Sequence, residues 1–474
     1  MSIQRNASEL IINFGGIILK YTPSKYNICV DDRKENILLF NSLHGTKSFL
    51  KVNKENDIIK CLDKEEIFPG NETTDVQMLI NKGFIIPFGV DETENLRSVF
   101  DRRINSKQLN LIISPTEECN LRCQYCCESF CQEKMSKKTQ ESIIQFLEKN
   151  INQYNGINID WFGGEPLLAL EVIEYIASNA IRICNENRKP YSSFITTNGT
   201  LLTPSVFELL YKLKVLMYQV TLDGIAPVHD QQRKFKNGSP SFEVIFQNLS
   251  AIKETNVGKH AIISILTNYS EALKPYIKQY KHLMHESFGD DQRFAFACNL
   301  VMDLGGERID QYRDELVDSR GMDSFYEYLI NIDDIKMRYI FEEFLNPGGM
   351  LCYAARRNSF VVGSTGALYK CEHLFQQSDS NGIVGKFSVN GEMILDEKKM
   401  SQWIGKFHYC GNEDCKLLPL CLGEDCIKKR VFSRNENGNS RFCGYNLCHF
   451  QKKTMSSVLR FLDHERSLFA PYDL

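Results

Sequence analysis

Strand-like apolar runs alternate with amphipathic helical segments between residues 109 and 300. The predicted strands are 110–116, 157–163, 192–198, 216–224, 260–267 and 293–300. The predicted helices between them are 136–151, 171–187, 204–214, 242–254 and 270–286, with Ser136 and Thr203 as N-caps and Pro204 in a first helical position. This alternation predicts parallel βαβ units with right-handed crossovers. Six units are too few to close an eight-stranded barrel, so we expect a partial, TIM-like (β/α)6 barrel, with a doubly wound sheet as the alternative. Either fold places its site at the carboxyl ends of the strands.

The flanking regions have weaker periodicity. Residues 1–105 contain the strand-like runs YNICV (26–30) and NILLFNS (36–42) and a helical piece, DVQMLINKGFII (75–86), which together predict a small α+β module. The strongly charged stretch 90–108 is predicted to be a linker or an exposed helix. We therefore expect a module over 1–105, the barrel over 106–300, a helical bridge over 301–350 and a cysteine-rich domain over 351–474. That last region should bury little apolar surface and depend on bound metal.

The charge balance excludes several classes of partner. The 474 residues carry 56 basic and 60 acidic side chains, a net charge of −4. This balance argues against non-specific electrostatic binding to nucleic acid or to an anionic membrane. The sequence also shows no signal-peptide pattern at its N-terminus and no apolar run of the roughly 20 residues that a membrane span needs. The expected location is the cytoplasm.

The seventeen cysteines are distributed unevenly. Five lie between Cys119 and Cys131 and eight between Cys352 and Cys448. Clustered cysteines in a reducing compartment bind metal or carry out redox chemistry more often than they form disulfides. The isolated ones, Cys29, Cys61, Cys184 and Cys298, are predicted to be small buried hydrophobic residues.

The first group contains a C-x3-C-x2-C spacing, formed by Cys119, Cys123 and Cys126, directly after the first predicted barrel strand. Three thiolates at this spacing can hold three irons of a [4Fe–4S] cluster and leave the fourth iron open. A zinc site or a reactive thiol pair is the alternative, although zinc sites usually show two separated cysteine pairs. Cys127 falls outside the spacing and is predicted to pack.

The downstream strand ends carry glycines and polar residues where a barrel presents its ligand groups. The second strand ends in WFGGEP, the third in TTN and the fourth in VTLDG. Each motif alone is compatible with an ordinary turn. The residues singled out are Gly163, Gly164, Glu165, Pro166, Thr197, Asn198 and Asp223.

Taken together in this order, these motifs resemble the radical S-adenosylmethionine (SAM) superfamily. The resemblance implies that the cluster binds SAM through its open iron, with Tyr125 near the adenine and the GGE motif on the methionine amino group. It also implies that Pro166, Thr197, Asn198 and Asp223 approach the cofactor and that Arg233 meets a carboxylate. The implied reaction is a one-electron cleavage of SAM, fed by a flavodoxin- or ferredoxin-type donor, which yields a 5′-deoxyadenosyl radical that abstracts a substrate hydrogen.

The second cysteine group is compatible with zinc knuckles or with two four-iron clusters. Beside a radical SAM site, its C-x13-G-x4-C element, from Cys352 to Cys371, resembles the SPASM-type extension of the superfamily. Two later spacings are four residues, where that extension has two and three. By this resemblance, one auxiliary cluster would be held by Cys352, Cys371 and Cys426, with Cys448 as a candidate fourth ligand, and the other by Cys410, Cys415, Cys421 and Cys443. The expected total is three [4Fe–4S] clusters.

Members of this subfamily commonly modify peptides, so the predicted substrate is a precursor peptide that receives a thioether or carbon–carbon crosslink. The N-terminal module favours this reading, because it resembles the winged-helix domains that bind leader peptides. The alternative is a formylglycine-forming sulfatase maturase, which usually has Asp directly after the cysteine of G-x4-C. Here that position is Glu372, followed by His373, and no catalytic base is predicted. A second alternative is a non-catalytic, zinc-stabilised binding protein.

Overall fold

The computed structural model describes residues 20–63, 74–128, 134–301, 342–374, 382–407, 415–424, 426–432 and 455–464, together with Phe130, Arg308 and Tyr312. The predicted bridge over 301–350 lies mostly outside the described residues. The domain bounds given above stay predictions.

A ten-stranded sheet forms the centre of the described structure, with six strands from the barrel region at one side and four strands from the C-terminal region at the other. Its first six strands are β6 (Gln108–Ile113), β8 (Gly156–Trp161), β9 (Tyr191–Thr197), β10 (Val215–Thr221), β12 (Ile262–Tyr269) and β13 (Phe294–Leu300). These six are parallel neighbours. Their order in space follows the chain without a reversal, whereas a doubly wound sheet reverses at a switch point. The prediction of an open, partial barrel is therefore confirmed.

The predicted crossover helices are also present. They are α4 (Lys137–Asn150), α5 (Leu170–Glu186), α6 (Pro204–Lys212), α8 (Phe242–Lys253) and α9 (Ile277–Phe288), and a further short helix, α7 (Ala226–Gln232), lies between α6 and α8. The Ser136 side chain caps α4 by accepting from Thr139 N, and the Thr203 side chain caps α6 by accepting from Val206 N, both as predicted. The short helix α7 had no counterpart among the predicted helices.

The described residues of the N-terminal region form two small sheets and three α-helices. Its elements are β1 (Tyr21–Pro23), β2 (Asn27–Asp31), β3 (Asn36–Asn41), β4 (Phe49–Asn53), α1 (Asp57–Leu62), α2 (Thr74–Asn81), β5 (Ile85–Pro87) and α3 (Glu92–Ile104). Strands β2, β3 and β4 form an antiparallel meander, and β1 pairs with β5. The prediction of a helical segment over 75–86 was wrong at its C-terminal end. Gly83 adopts a positive φ of 73° and ends the helical run before β5.

Helix α3 occupies the charged stretch that was predicted as a linker or an exposed helix. It buries Leu96, Phe100 and Ile104 on one face and exposes charged residues such as Arg97 and Asp101 on the other. The Asp91 side chain caps it by accepting from Thr93 N. This region is a packed amphipathic helix and not a linker, because its apolar residues recur at four-residue intervals.

The C-terminal region continues the barrel sheet. Its elements are β14 (Ser359–Val362), β15 (Ala367–Tyr369), β16 (Gly385–Phe387), β17 (Met393–Leu395), α10 (Glu397–Trp403), α11 (Leu418–Cys421), α12 (Ile427–Phe432) and a helical segment over 455–464. Strand β14 pairs in parallel with β6, and β15 to β17 follow as antiparallel neighbours. All four residues of β14 are buried. The expectation that this region buries little apolar surface was wrong, because a β-branched apolar run fills the open edge of the barrel.

One core cluster joins the barrel to the C-terminal region. It includes Trp161 on β8 and Trp403 at the end of α10. The N-terminal meander also contacts the C-terminal region: Lys51 forms an ion pair with Asp463 at 2.7 Å, and Ser42 donates to the carbonyl oxygen of Lys416.

Within the described part of the chain, we find no helix with the length and apolar character needed to cross a membrane.

Candidate active site

The cysteine loop follows the carboxyl end of β6, as predicted. Cys119 and Cys123 are buried and lie in one apolar cluster with Leu121, against which Tyr125 and Cys126 pack. Strand β7 (Leu121–Cys123) holds the middle of the loop by pairing with β11 (Arg233–Phe235), and Cys123 lies opposite Arg233 in this pairing. The three sulfurs predicted as cluster ligands are therefore neighbours.

The surroundings of these sulfurs fit thiolate coordination. Burial raises the pKa of Cys119 to about 12 and raises the pKa values of Cys123 and Cys126 as well, so these groups are thiols unless a bound cation displaces the proton. Leu121 N and Asn198 Nδ2 donate to Cys119 Sγ at 3.4 and 3.7 Å, and such donors stabilise a thiolate. Among the described residues, no three or more His, Cys, Asp or Glu side chains are placed to hold a metal ion. In an iron–sulfur cluster each cysteine binds a separate iron, so its ligands need not converge on one point.

The GGEP turn after β8 packs backbone to backbone against the cysteine loop. A Cβ on Gly164 would lie 2.2 Å from Glu118 O, and one on Gly163, whose φ is 118°, would lie 2.4 Å from Ser114 Oγ. Glu165 N donates to Glu118 O at 2.8 Å. The two glycines are therefore required for the close approach of the turn to the loop, whatever they contact in the cofactor.

Glu165 is fully buried and ties the turn to the third strand. Its Oε1 accepts from Thr197 Oγ1 at 2.7 Å and from Leu167 N at 3.1 Å, while its Oε2 accepts from Asn198 N at 2.7 Å. Burial raises the pKa of this carboxyl, and these donors oppose the shift. Pro166 follows as the first residue of a 3₁₀ helix that Glu165 caps.

Tyr125, Asp223 and Arg233 converge on the opposite side of the loop. The Tyr125 hydroxyl donates to Asp223 Oδ2 and accepts from Arg233 Nη1 at 2.7 Å, and Arg233 Nη1 lies 3.9 Å from Asp223 Oδ2. Burial raises the pKa of Asp223, with Arg233 opposing. The prediction that these three residues belong to one site therefore has a geometric basis, although their contact with the cofactor stays a prediction.

Two further residues of this network were missed. Asn268, at the end of β12, donates to the Tyr125 hydroxyl at 3.1 Å. Buried His229 accepts from Asp223 N through Nδ1 at 3.1 Å, and its Nε2 contacts Ser241 Oγ. Burial lowers the pKa of His229 well below its usual value, so the ring is neutral. Asn268 could have been found by the rule that identified Asp223, because it too is a polar residue at a carboxyl strand end.

Three of the cysteines that are predicted to hold auxiliary clusters lie close together. The charges of Cys426 and Glu372 act on Cys352, and that of Cys352 acts on Cys371. Cys415 and Cys421 are buried at either end of the turn that contains α11. Cys410, Cys443 and Cys448 lie outside the described residues. The assignment of all eight to clusters stays a prediction.

The cysteine loop also faces the C-terminal region directly. Cys127 Sγ lies 3.8 Å from His373 Nδ1, and Ser364 Oγ donates to Glu117 Oε1 at 2.8 Å. Burial raises the pKa of Glu372 to about 7 and lowers that of His373 to about 4. Titratable side chains therefore lie between the cysteine loop and the segment of Cys371.

Comparison with known proteins identifies the family of the barrel region and its fold. Residues 113–279 match the family model of the Radical SAM superfamily. The chain is 29% identical over 268 residues to the radical SAM cyclopropyl synthase TigE of Paramaledivibacter caminithermalis, covering 49% of this chain and 54% of that protein. It therefore spans about half the length of this relative. It is 24% identical over 393 residues to the serine-type anaerobic sulfatase-maturating enzyme of Bacteroides thetaiotaomicron, covering 76% of this chain and 91% of that enzyme.

A solved structure shows the same fold. The native enzyme anSMEcpe, with bound AdoMet and a peptide called Cp18Cys, aligns with a TM-score of 0.58 and 20% identity over 76% of this chain and all of that chain. The segment that matches the family model, residues 113–279, begins at the end of β6. It spans the cysteine loop, the GGEP turn and the strand ends described above. This chain therefore contains a domain of the Radical SAM superfamily over residues 113–279.

Proposed function

We propose that this enzyme oxidises a ribosomally made precursor peptide, forming a thioether or carbon–carbon crosslink, with one radical SAM cluster and two auxiliary [4Fe–4S] clusters. The observation that carries the proposal is the contact between Cys127 and His373. It brings the cysteine loop next to the segment of Cys371, so a substrate held between them would meet both the radical source and an electron acceptor. When bound, the cluster and SAM supply a carbon-centred radical that removes a hydrogen atom from the substrate.

The residues of this chain then have separable tasks. Arg233, Tyr125 and Asp223 form a fixed polar wall beside the cysteine loop, suited to orient a charged cofactor. Crosslinking also removes a second electron and a proton from the substrate. Glu372 is our candidate acceptor of that proton, because it lies next to His373, whose Nδ1 is 3.8 Å from Cys127 Sγ in the cysteine loop.

The N-terminal module would bind the leader of the precursor. Its meander presents β2 and β4 as outer strands, and an extended peptide can add to such an edge through main-chain hydrogen bonds. A leader peptide carrying a photocrosslinker is expected to label β2 or β4. Labelling confined to the barrel would contradict this part of the proposal.

Formylglycine formation is the second candidate. It is supported by the similarity to enzymes named as serine-type and cysteine-type anaerobic sulfatase-maturating enzymes, of which this chain covers 91% and 95%. Glu372 occupies the position where that class usually has Asp. The glutamate side chain is one methylene longer, so the substrate carbon would have to lie farther from the backbone.

Anaerobic incubation with SAM, a chemical reductant and candidate peptides tests both reactions. A crosslink appears as the loss of two hydrogen atoms in a product that does not react with a hydrazide. Formylglycine carries an aldehyde and is captured by the hydrazide. A protein that cleaves SAM but alters neither a precursor peptide nor a sulfatase peptide would contradict both candidates.

Cys126→Ala is the matched test of the radical site. It should abolish 5′-deoxyadenosine formation while the auxiliary iron remains, lowering the iron content from about twelve to about eight per chain. Cys127→Ala changes the adjacent thiol and should keep the iron content and the cleavage of SAM. Colourless protein that carries zinc would instead support the non-catalytic alternative.

A further inference from the structure

We propose that His229 and Ser241 are positioning residues of the SAM site, because they join Asp223 to Arg233 through a chain of three hydrogen bonds. The inference rests on the proposed function, since it takes Asp223, Arg233 and Tyr125 as the wall that orients SAM. His229 and Ser241 lie outside the strand-end motifs from which the site was predicted, and both are fully buried. We call the three hydrogen bonds, from Asp223 N to Arg233 O, the His229 bridge.

The two ends of the His229 bridge fix the direction of every hydrogen bond in it. Asp223 N is a backbone amide and can only donate, so His229 Nδ1, at 3.1 Å, is the acceptor. His229 Nε2 therefore carries the ring proton and donates to Ser241 Oγ at 3.0 Å. The Ser241 hydroxyl in turn donates to Arg233 O. A charged ring would have two donors and leave Asp223 N without an acceptor, so the bridge requires the neutral ring with its proton on Nε2.

The His229 bridge connects two segments that lie ten positions apart in the chain. Asp223 follows β10, and Arg233 begins β11, which pairs with β7 in the cysteine loop. A two-stranded ladder of three residues has little stability of its own, so the position of β11 depends on further contacts. By tying the backbone of Asp223 to that of Arg233, the bridge sets the points from which both side chains reach Tyr125.

The surroundings hold the His229 bridge in place. Asp230 Oδ1 accepts from Ser241 N and from Phe242 N, both at 2.8 Å, so the backbone that carries the Ser241 hydroxyl is anchored. The His229 ring meets the Phe242 ring edge-on, with their centroids 5.7 Å apart. Groups held in this way can orient a ligand without being reordered when it binds.

Helix α7, which carries His229, is also attached to the cysteine loop. Gln124 N, within that loop, donates to Gln232 O at 2.9 Å. Gln232 Nε2 donates to Ser270 Oγ, just after β12, at 2.7 Å. Because His229 lies one helical turn before Gln232, a displacement of His229 would shift the cysteine loop as well as Arg233.

The guanidinium of Arg233 explains why the His229 bridge should act on SAM. Arg233 Nε is buried and meets no hydrogen-bond acceptor among the described residues. A buried donor without a partner is costly, and the carboxylate of SAM would satisfy it. The direction of this donor depends on the backbone of Arg233, which the bridge holds. Loss of the bridge should therefore lower the affinity for SAM.

The test compares two buried serines in the full-length, iron-loaded protein, without peptide. Ser241→Ala removes the central group of the His229 bridge. Ser193→Ala is the matched control, because Ser193 Oγ also accepts from a ring N–H, that of Trp161 at 3.0 Å, and donates to a backbone carbonyl, that of Ile159 at 2.8 Å. Ser193 lies in the amino half of β9, away from the cysteine loop. Both substitutions should lower the thermal unfolding temperature by similar amounts.

SAM affinity should separate the two variants. We expect Ser241→Ala to raise the Kd for SAM about fivefold, measured by anaerobic equilibrium dialysis, and Ser193→Ala to bind SAM as the wild type does. The KM for SAM in 5′-deoxyadenosine formation should rise in parallel, whereas the rate at saturating SAM should stay within about twofold.

Substitutions of the ring give a second series. His229→Phe removes both ring hydrogen bonds and should raise the Kd for SAM about tenfold. His229→Gln keeps an N–H group that can reach Ser241 and should recover part of this loss. Adding Ser241→Ala to His229→Phe should have little further effect, because both substitutions break the same chain of hydrogen bonds.

Two results would overturn the inference. One is wild-type affinity for SAM in Ser241→Ala, which decides the matter even where His229→Phe does not fold. The other is equal weakening in Ser193→Ala, which would show a general loss of barrel stability. A protein that binds and cleaves SAM but modifies no peptide would contradict the proposed function alone, because these measurements use no peptide.

Discussion

The two halves of the ten-stranded sheet are stabilised differently. The parallel half, from β13 to β6, has central strands such as β8, which buries Ile157, Ile159 and Trp161 on one face and keeps Asn158 and Asp160 half-buried on the other. The antiparallel half starts with the fully buried β14 and becomes progressively exposed, so that Ile394 on β17 is 50% exposed. Burial thus decreases with distance from the barrel rather than at a boundary between domains. The C-terminal region is secured by its first strand, and its outer strands depend on other interactions.

The largest expected difference between the halves is in core packing. Ile159→Ala removes a fully buried side chain from β8, which should lower the free energy of unfolding by about 4 kcal/mol. Ile394→Ala, on β17, should cost less than about 0.5 kcal/mol, because half of its surface is already in water. Anaerobic urea unfolding measures both. Similar losses of unfolding free energy in the two variants would contradict the decrease in burial from β8 to β17.

A glycine in each half offers a second comparison. Gly164→Ala places a methyl group 2.2 Å from Glu118 O, so the cysteine loop must shift, at a cost of about 2–3 kcal/mol. Iron should also be retained less well at the radical SAM site. Gly363→Ala, after β14, meets no described atom closer than 3.4 Å and should have little effect. Iron quantification and thermal unfolding check the pair. Retention of iron and stability in Gly164→Ala would contradict the close packing of the turn.

A carboxyl in the parallel half should make stability depend on pH. Burial raises the pKa of Asp160 from 3.8 to about 6, opposed by a hydrogen bond from Asn158. The folded state then binds more protons than the unfolded state between about pH 4 and 6, so stability falls as the pH rises through that window. Asp160→Asn should remove the fall and be about 1–2 kcal/mol more stable at pH 7. If the stability of Asp160→Asn depended on pH as the wild type does, Asp160 would not be the group responsible for the fall.

The smallest expected effect concerns cooperativity. The chain has two tryptophans: Trp161 is in the parallel half and Trp403 is in the C-terminal region, and both lie in one core cluster. Trp161→Phe and Trp403→Phe each leave a single fluorescence reporter, and the two urea transitions of the iron-loaded protein should coincide. Removal of iron should shift the Trp403 transition more, because α10 packs against α12, which follows Cys426. Separate transitions in the iron-loaded protein would show that the halves unfold independently.

The sequence predicted the parallel half well and the C-terminal half poorly, for identifiable reasons. The barrel strands and the caps Ser136 and Thr203 follow from local periodicity and capping chemistry. Strand β14 was missed because its run SFVV has no alternation, and its partner β6 is about 250 residues away. Strands β7 and β11 have three residues each, too few for a periodic signal.

The candidate site divides in the same way. Its members that lie in strand-end motifs, such as Glu165 and Asp223, could be found from the sequence. His229 could not, because its role depends on a hydrogen bond to a backbone amide that only the folded structure shows. Likewise, no spacing rule relates Cys127 to His373, which are brought together by tertiary packing.

The pairing of β14 with β6 has a consequence for synthesis of the chain. The ribosome adds about 5–20 residues per second, and about 250 residues separate β6 from β14. The outer edge of β6 therefore stays unpaired for roughly 10–50 s. During that interval the barrel exposes a strand edge with unpaired backbone groups, which invites association with other chains. Ribosome-arrested chains that end before β14 should therefore aggregate or be held by chaperones, whereas chains that include β17 should not. Strand β14 therefore anchors the C-terminal region in the folded protein and covers the exposed edge of the barrel during synthesis.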